Sequence, residues 1–171
     1  PQFINNWDEN IKNEVLQIKK LFNKYWIKTK INQVCSFIQA KYLDSLTQTL
    51  KVDYLSQISK DSKYSVIYLD IDDFKNINDT YLHSQWDIYL QEFSKILKDS
   101  VRVDDKVIRY WWDEFVILVD TQDLAVLESI INRIKINIIT WRTYLKHPQT
   151  NTDILVKFSW SIWYSIYEKW S

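Results

Sequence analysis

The segment Ser65-Val66-Ile67-Tyr68-Leu69-Asp70-Ile71-Asp72 constrains the fold more than any other. A short apolar run ended by acids reads as a strand buried on both faces, and such a strand sits centrally in a sheet. Its neighbours can be found downstream. Two more apolar runs, Lys106–Tyr110 and Phe115–Val119, are separated by Trp111-Trp112-Asp113-Glu114, and four residues between two strands predict a hairpin. A last stretch, Ile154–Tyr167, alternates well enough for one further strand. Helical periodicity fills the gaps. Leu90, Phe93, Ile96, Leu97 and Val101 line one side of a helix from Asp87 to about Val101. Asp123 is placed to N-cap another that runs through Leu127, Ile130, Ile131 and Ile134 to about Trp141, and the polar residues 147–151 form a turn. Residues 74–80 read as a short helix and Ile31 to about Ser59 as a longer one, with no Pro or Gly to interrupt it. The order helix, helix, strand, helix, helix, hairpin, helix, strand predicts an α+β domain whose central sheet is mostly antiparallel.

At the N-terminus, Ile11, Val15, Ile18, Phe22 and Tyr25 follow a 4-3-4-3 spacing. That seam suits a helix packed on its own domain or the end of a coiled coil joining two copies. The expected division is a helical segment over residues 1–40 and a globular domain over 41–171.

Composition narrows the function classes. Lys+Arg and Asp+Glu number 22 each in 171 residues, so no bulk field draws the chain to nucleic acid or to anionic lipid. Cys35, the single cysteine, excludes an intrachain disulfide framework and a Cys-rich zinc site, and points to a reducing, cytoplasmic setting. No apolar run approaches the ~18 residues of a membrane span, and no cleavable signal pattern is present. The chain starts at Pro1 and lacks Met, so it reads as part of something longer. One count is abnormal: average usage of ~7% predicts about 12 glycines, and there are none, against nine tryptophans.

Asp70 and Asp72 lie two apart at a strand end, so their side chains leave one face. Asp113 and Glu114 occupy the tip of the predicted hairpin. Carboxylates at strand ends are often plain solvated turn residues. If the first strand pairs beside the hairpin, however, they converge at one edge, an arrangement that a hard cation such as Mg²⁺ with a nucleotide phosphate would neutralise.

The run Leu69-Asp70-Ile71-Asp72-Asp73-Phe74-Lys75-Asn76-Ile77-Asn78-Asp79-Thr80-Tyr81-Leu82-His83 resembles the LDIDxFKxINDxxGH signature of the GGDEF family, the diguanylate cyclase domains. Arg109-Tyr110-Trp111-Trp112-Asp113-Glu114-Phe115 is similar to the motif that names the family, and the resemblance extends from about residue 41 to 167. It implies a palm-like nucleotidyl cyclase fold and a nucleotidyltransferase that condenses two GTP into cyclic di-GMP, a second messenger in signal transduction. It also implies Mg²⁺ or Mn²⁺ as cofactor, a homodimer with facing half-sites, and an upstream sensor domain. Carried over residue by residue, Asp70, the Ile71 carbonyl and Asp113 would ligate the metal, with Asp113 also the base for the attacking hydroxyl and Glu114 the second acid. Lys75 would support the transition state, Asn78 and Asp87 would read the guanine edge, and His83 would lie near the substrate. Arg102 and Asp105 match the RxxD inhibitory site that binds the product, with Arg133 as a further arginine there. Plainer readings stand beside these: helix caps for Asn78 and Asp79, a surface loop residue for His83, and an i,i+3 ion pair for Arg102 and Asp105.

The departures concern glycine. Trp111, Trp112, Trp86 and Trp163 stand where the family has Gly, as do Leu82 and Gln48, and the upstream DxLTGLxNR segment survives only as Asp44-Ser45-Leu46-Thr47. The resemblance also implies a C-terminal phosphate-binding helix, which the chain is expected to stop short of. A source that reads UGA as glycine would account for the tryptophans but not for Leu82 or Gln48. Indoles at 111 and 112 are expected to strain a turn that uses positive φ and to crowd the nucleotide, and Gly at 86 to ease the approach of Asp87. The alternatives to a cyclase are therefore a degenerate domain that binds cyclic di-GMP through RxxD, or a dimerisation module without catalysis.

Overall fold

The computed structural model describes residues 9–23, 36–59, 62–72, 83–147 and 149–167. The expected helix over 74–80 lies outside them, as do Lys75 and Asn78.

The strand read from Ser65–Ile71 is β2 of a five-stranded sheet ordered β1-β3-β4-β2-β7. The other members are β1 (Leu50–Lys51), β3 (Lys106–Arg109), β4 (Glu114–Val119) and β7 (Trp160–Ser165). β2 is interior, antiparallel to both β4 and β7, and β3 and β4 form the expected hairpin. Only β1 runs parallel, to β3. Residues of β2 alternate between buried and half-buried, so one face is sealed by the core and the other only partly covered. That qualifies the expectation of two buried faces.

Helices α3 (His83–Ser100) and α4 (Leu124–Thr140) cover the sealed face. Ile67, Leu69 and Ile71 from β2 meet Tyr89, Leu90, Phe93 and Leu97 from α3 and Leu127, Ile130, Ile131 and Ile134 from α4 in one cluster. Each such side chain contributes ~1.5–3 kcal/mol on leaving water. Asp123 caps α4 as expected, its carboxylate accepting from the amides of Ala125 and Val126. The other face is covered over β3 and β4 by the N-terminal helices, α1 (Glu9–Asn23) and α2 (residues 36–42). Ile11 and Val15 of the heptad seam are buried there with Ile38, Leu50, Ile108, Val116 and Leu118.

Two expectations fail. The helix read over 31–59 is helical, among described residues, only at 36–42; a turn, β1 and a 3₁₀ helix (Val52–Gln57) follow. Gln48 makes the reversal at φ 55°, a left-handed conformation normally given to glycine. The run from Ile154 to Tyr167 is two strands, not one. β6 (Asp153–Val156) pairs with an unforeseen β5 (Thr143–Lys146), and β7 joins the main sheet. This small hairpin docks on the first turn of α3, where the Lys146 amide donates to Gln85 Oε1 at 2.6 Å.

Candidate functional site

β2 and the β3–β4 hairpin carry the acids to one edge. Asp70 lies directly opposite Glu114 in the antiparallel register. The Ile71 amide donates to the Asp113 carbonyl at 3.2 Å, which holds the hairpin tip against the end of β2. The amides of Tyr110 and Trp111 both donate to the Glu114 carbonyl, at 2.9 and 3.3 Å, and close the turn. Asp70, Ile71, Asp113 and Glu114 are thus brought together by strand pairing.

The electrostatics of this edge disfavour its ionised carboxylates, with Arg109 opposing only part of the shift at Asp113. Burial, then the charges of Glu114 and Asp72, push the Asp70 carboxyl above the usual carboxylate range. Burial also pushes Asp113 up; a backbone hydrogen bond opposes the shift, and the charges of Asp70 and Glu114 reinforce it. Asp72 is differently occupied: Ser161 and Ser159 donate to its two oxygens at 2.7 and 3.1 Å. It fastens β7 to β2.

Among the described residues no three His, Cys, Asp or Glu side chains form a ready-made metal cage. The donors at the edge are the Asp70 and Asp113 carboxylates and the Ile71 carbonyl, all oxygen. That set fits Mg²⁺, which takes one or two carboxylates and keeps the rest of its shell for water and phosphate. Two carboxylates crowded into each other's field also gain most from a divalent cation.

Beside the acids lies a contact that sequence reasoning missed. The Arg109 guanidinium donates to Asp44 Oδ1 at 3.1 Å and to the Trp112 carbonyl at 2.8 Å. Asp44 Oδ1 also accepts from the Thr47 amide and hydroxyl, at 2.8 and 2.7 Å. Burial alone would raise the Asp44 carboxyl, but the Thr47 donors and Arg109 outweigh it and hold it below the usual range. Arg109 therefore ties the hairpin tip to the Asp44–Thr47 turn. Both residues stood next to motifs, but a pairing across 65 positions leaves no local signal.

The tryptophans behave unlike the expectation. Trp111 and Trp112 are 63% and 66% exposed, and neither is at positive φ, so the turn accommodates them without left-handed strain. They line a cleft of about 380 Å³ with Tyr110, Arg109, Lys51 and Asp44. Trp86 is 6% exposed and stacks on Tyr89, with ring centroids 5.4 Å apart. It belongs to the core, so glycine there would open a cavity rather than clear a path for Asp87.

Of the remaining candidates, Asp87 is exposed on α3, and His83 begins that helix. The residues expected at an inhibitory site form a second group at the far end of α3. Asp105 is buried and its carboxylate accepts from the Arg102 amide at 2.8 Å, closing the turn rather than pairing with the Arg102 side chain. Arg102 is left exposed, and Arg133 Nε donates to the Ser100 carbonyl at 2.5 Å. Both arginines therefore flank one corner.

A family described as the diguanylate cyclase GGDEF domain matches residues 44–169. Diguanylate cyclase A of Treponema denticola is 36% identical over 91 residues, covering 51% of this chain and 24% of that protein. Diguanylate cyclase DosC of Escherichia coli is 29% identical over 148 residues, covering 74% of this chain and 32% of that protein. The chain thus spans about a quarter to a third of these relatives. The S helix-GGDEF-EAL structure of Vibrio cholerae LapD, bound to c-di-GMP, superimposes with a TM-score of 0.65 at 17% identity, over 84% of this chain and 33% of that one. The GGDEF domain of Caulobacter crescentus DgcB, in complex with c-di-GMP, gives 0.62 at 20% identity, over 72% and 75%. At these identities the structures bear on the fold, which is the expected α+β one. Among the described residues no helix is long and apolar enough to cross a membrane.

Proposed function

The chain belongs to the GGDEF family, and from that premise we propose that it is a diguanylate cyclase domain condensing two GTP into cyclic di-GMP with release of two pyrophosphates. The observation that carries the proposal is the convergence of Asp70, Asp113 and the Ile71 carbonyl at one end of the central strands, with both carboxyls raised by burial and by neighbouring acids. These groups would hold Mg²⁺ or Mn²⁺. Bound there, the ion neutralises phosphate charge and favours displacement at the α-phosphorus.

Asp113 takes the proton from the attacking 3′-hydroxyl. The new bond joins that oxygen to the α-phosphorus of the other GTP, and the bond to the β-phosphate oxygen breaks. Lys75 offsets charge on the phosphates. Asn78 and Asp87 read guanine, whose N1 and N2 donate and whose O6 accepts, and His83 lies near the substrate. Each protomer presents one GTP, so the active species is a homodimer of facing sites. Product returns to the corner of Arg102, Asp105 and Arg133.

The second reading, a domain that binds cyclic di-GMP without making it, is favoured by the two exposed indoles at the hairpin tip. One experiment separates the two. The protein incubated with GTP and Mg²⁺ is expected to yield cyclic di-GMP and pyrophosphate in a 1:2 ratio by chromatography. Binding of cyclic di-GMP with no turnover, persisting after Trp111 and Trp112 are changed to Gly, would establish the second reading.

A further inference from the structure

Tyr68 stands two residues before Asp70 on β2, so its side chain leaves the same, half-open face of the sheet. Its direct partner on β4 is Val116, and Glu114 lies two residues along that strand, opposite Asp70. Tyr68 is therefore the diagonal neighbour of Glu114, a separation that a tyrosine spans. Two rings wall it in: Tyr110 edge-on, with centroids 6.3 Å apart, and Trp163 tilted, at 5.8 Å. From this position the phenol is within hydrogen-bonding reach of the Glu114 carboxylate.

We infer that Tyr68 is a positioning residue of the candidate metal site, its hydroxyl donating to Glu114 and turning that carboxylate toward Asp70 as a further oxygen donor to the cation. The inference rests on the reading of Asp70 and Asp113 as that site. Glu114 is half-buried at a strand end, where an unanchored carboxylate turns to water. A fixed donor on one oxygen leaves the other for the ion, the usual arrangement by which outer partners orient metal ligands. Packing alone does not call for the hydroxyl, since an aliphatic or phenyl side chain fills a half-buried strand position as well.

The test is binding of Mn²⁺ to the nucleotide-free chain, followed by electron paramagnetic resonance of the free ion. Tyr68→Phe keeps the ring and is expected to weaken binding about tenfold, the lower end of what outer-partner changes produce, with a melting temperature in chelator close to the parent's. In a Glu114→Gln background the same change is expected to add no further loss. Parent-like Mn²⁺ binding by Tyr68→Phe, while Asp70→Asn abolishes it, would overturn the role of Tyr68 and leave the site standing. An equal loss in both backgrounds would mean that the hydroxyl acts other than through Glu114 and also overturn it. A parent that binds no better than Asp70→Asn would remove the metal site, and the inference with it.

Discussion

The carboxylates on the two sides of the β3–β4 hairpin live in opposite fields. Asp44 accepts from Thr47 and Arg109 and is held below the usual carboxylate range. Asp70 and Asp113 are held above it, by burial first and then by neighbouring acids. The first arrangement favours the folded state by the ionised form; the second opposes it. Natural chains tolerate such local opposition where a ligand relieves it, and the contrast marks which acids build the hairpin and which ones it serves.

The largest expected effect separates those roles by rate. Asp113→Asn removes the proposed base and cation donor, so GTP turnover is expected to fall by ~10²–10⁴-fold while the metal-free melting temperature does not drop. A large loss of stability would place Asp113 with Asp44.

Trp86→Gly calibrates the core against the hairpin. Emptying a buried indole site costs ~3–5 kcal/mol, and glycine inside a helix adds about 1 kcal/mol, so urea denaturation is expected to shift by most of the domain's stability. Trp112→Gly, at an exposed position, is expected to change it little. Equal effects would mean that Trp86 does not pack as described.

The Arg109 tie comes next. Arg109→Ala leaves Asp44 partly buried without its charge partner, a loss of ~1–3 kcal/mol in urea denaturation. The Thr47 donors limit it, since they remain. Loosening the tip is expected to lower turnover as well, because the Trp112 carbonyl that Arg109 holds adjoins Asp113.

How much of this was legible depended on the signal. β2 and the hairpin were readable because their apolar runs end in abrupt acids, and α3 and α4 because of their periodicity. The Asp44–Thr47 reversal was hidden inside an apparent helix because the marker of such turns is glycine and Gln48 takes the left-handed conformation instead. β5 was missed, and β6 merged with β7, for a related reason. β5 and β6 are four residues each, and the break at Lys157-Phe158-Ser159 carries neither Gly nor Pro. Of the site, Asp70, Asp113 and Glu114 followed from strand ends and motif likeness. Arg109 with Asp44 and Tyr68 with Glu114 did not, because tertiary pairing alone joins them.

The smallest expected effect is in pH. Asp70 and Asp113 bind protons more tightly folded than unfolded, so in chelator stability falls as pH rises through the window that opens at 3.8, the ordinary value. Asp44 works the other way: its contribution is complete above 3.8 and is lost as pH falls through its lowered value. Asp70→Asn should flatten the first arm and Asp44→Asn the second.

The central claim is that crowded acids beside the hairpin form a cation and nucleotide site, and thermal melting of the parent and Asp70→Asn tests it most directly. At neutral pH in chelator, Asp70→Asn is expected to melt above the parent, because it removes one of the opposing charges. With saturating Mn²⁺ and a non-hydrolysable GTP analogue the order should reverse, as only the parent gains from binding to its folded state. A parent that melts above Asp70→Asn in chelator and gains nothing from the ion and nucleotide would contradict the account.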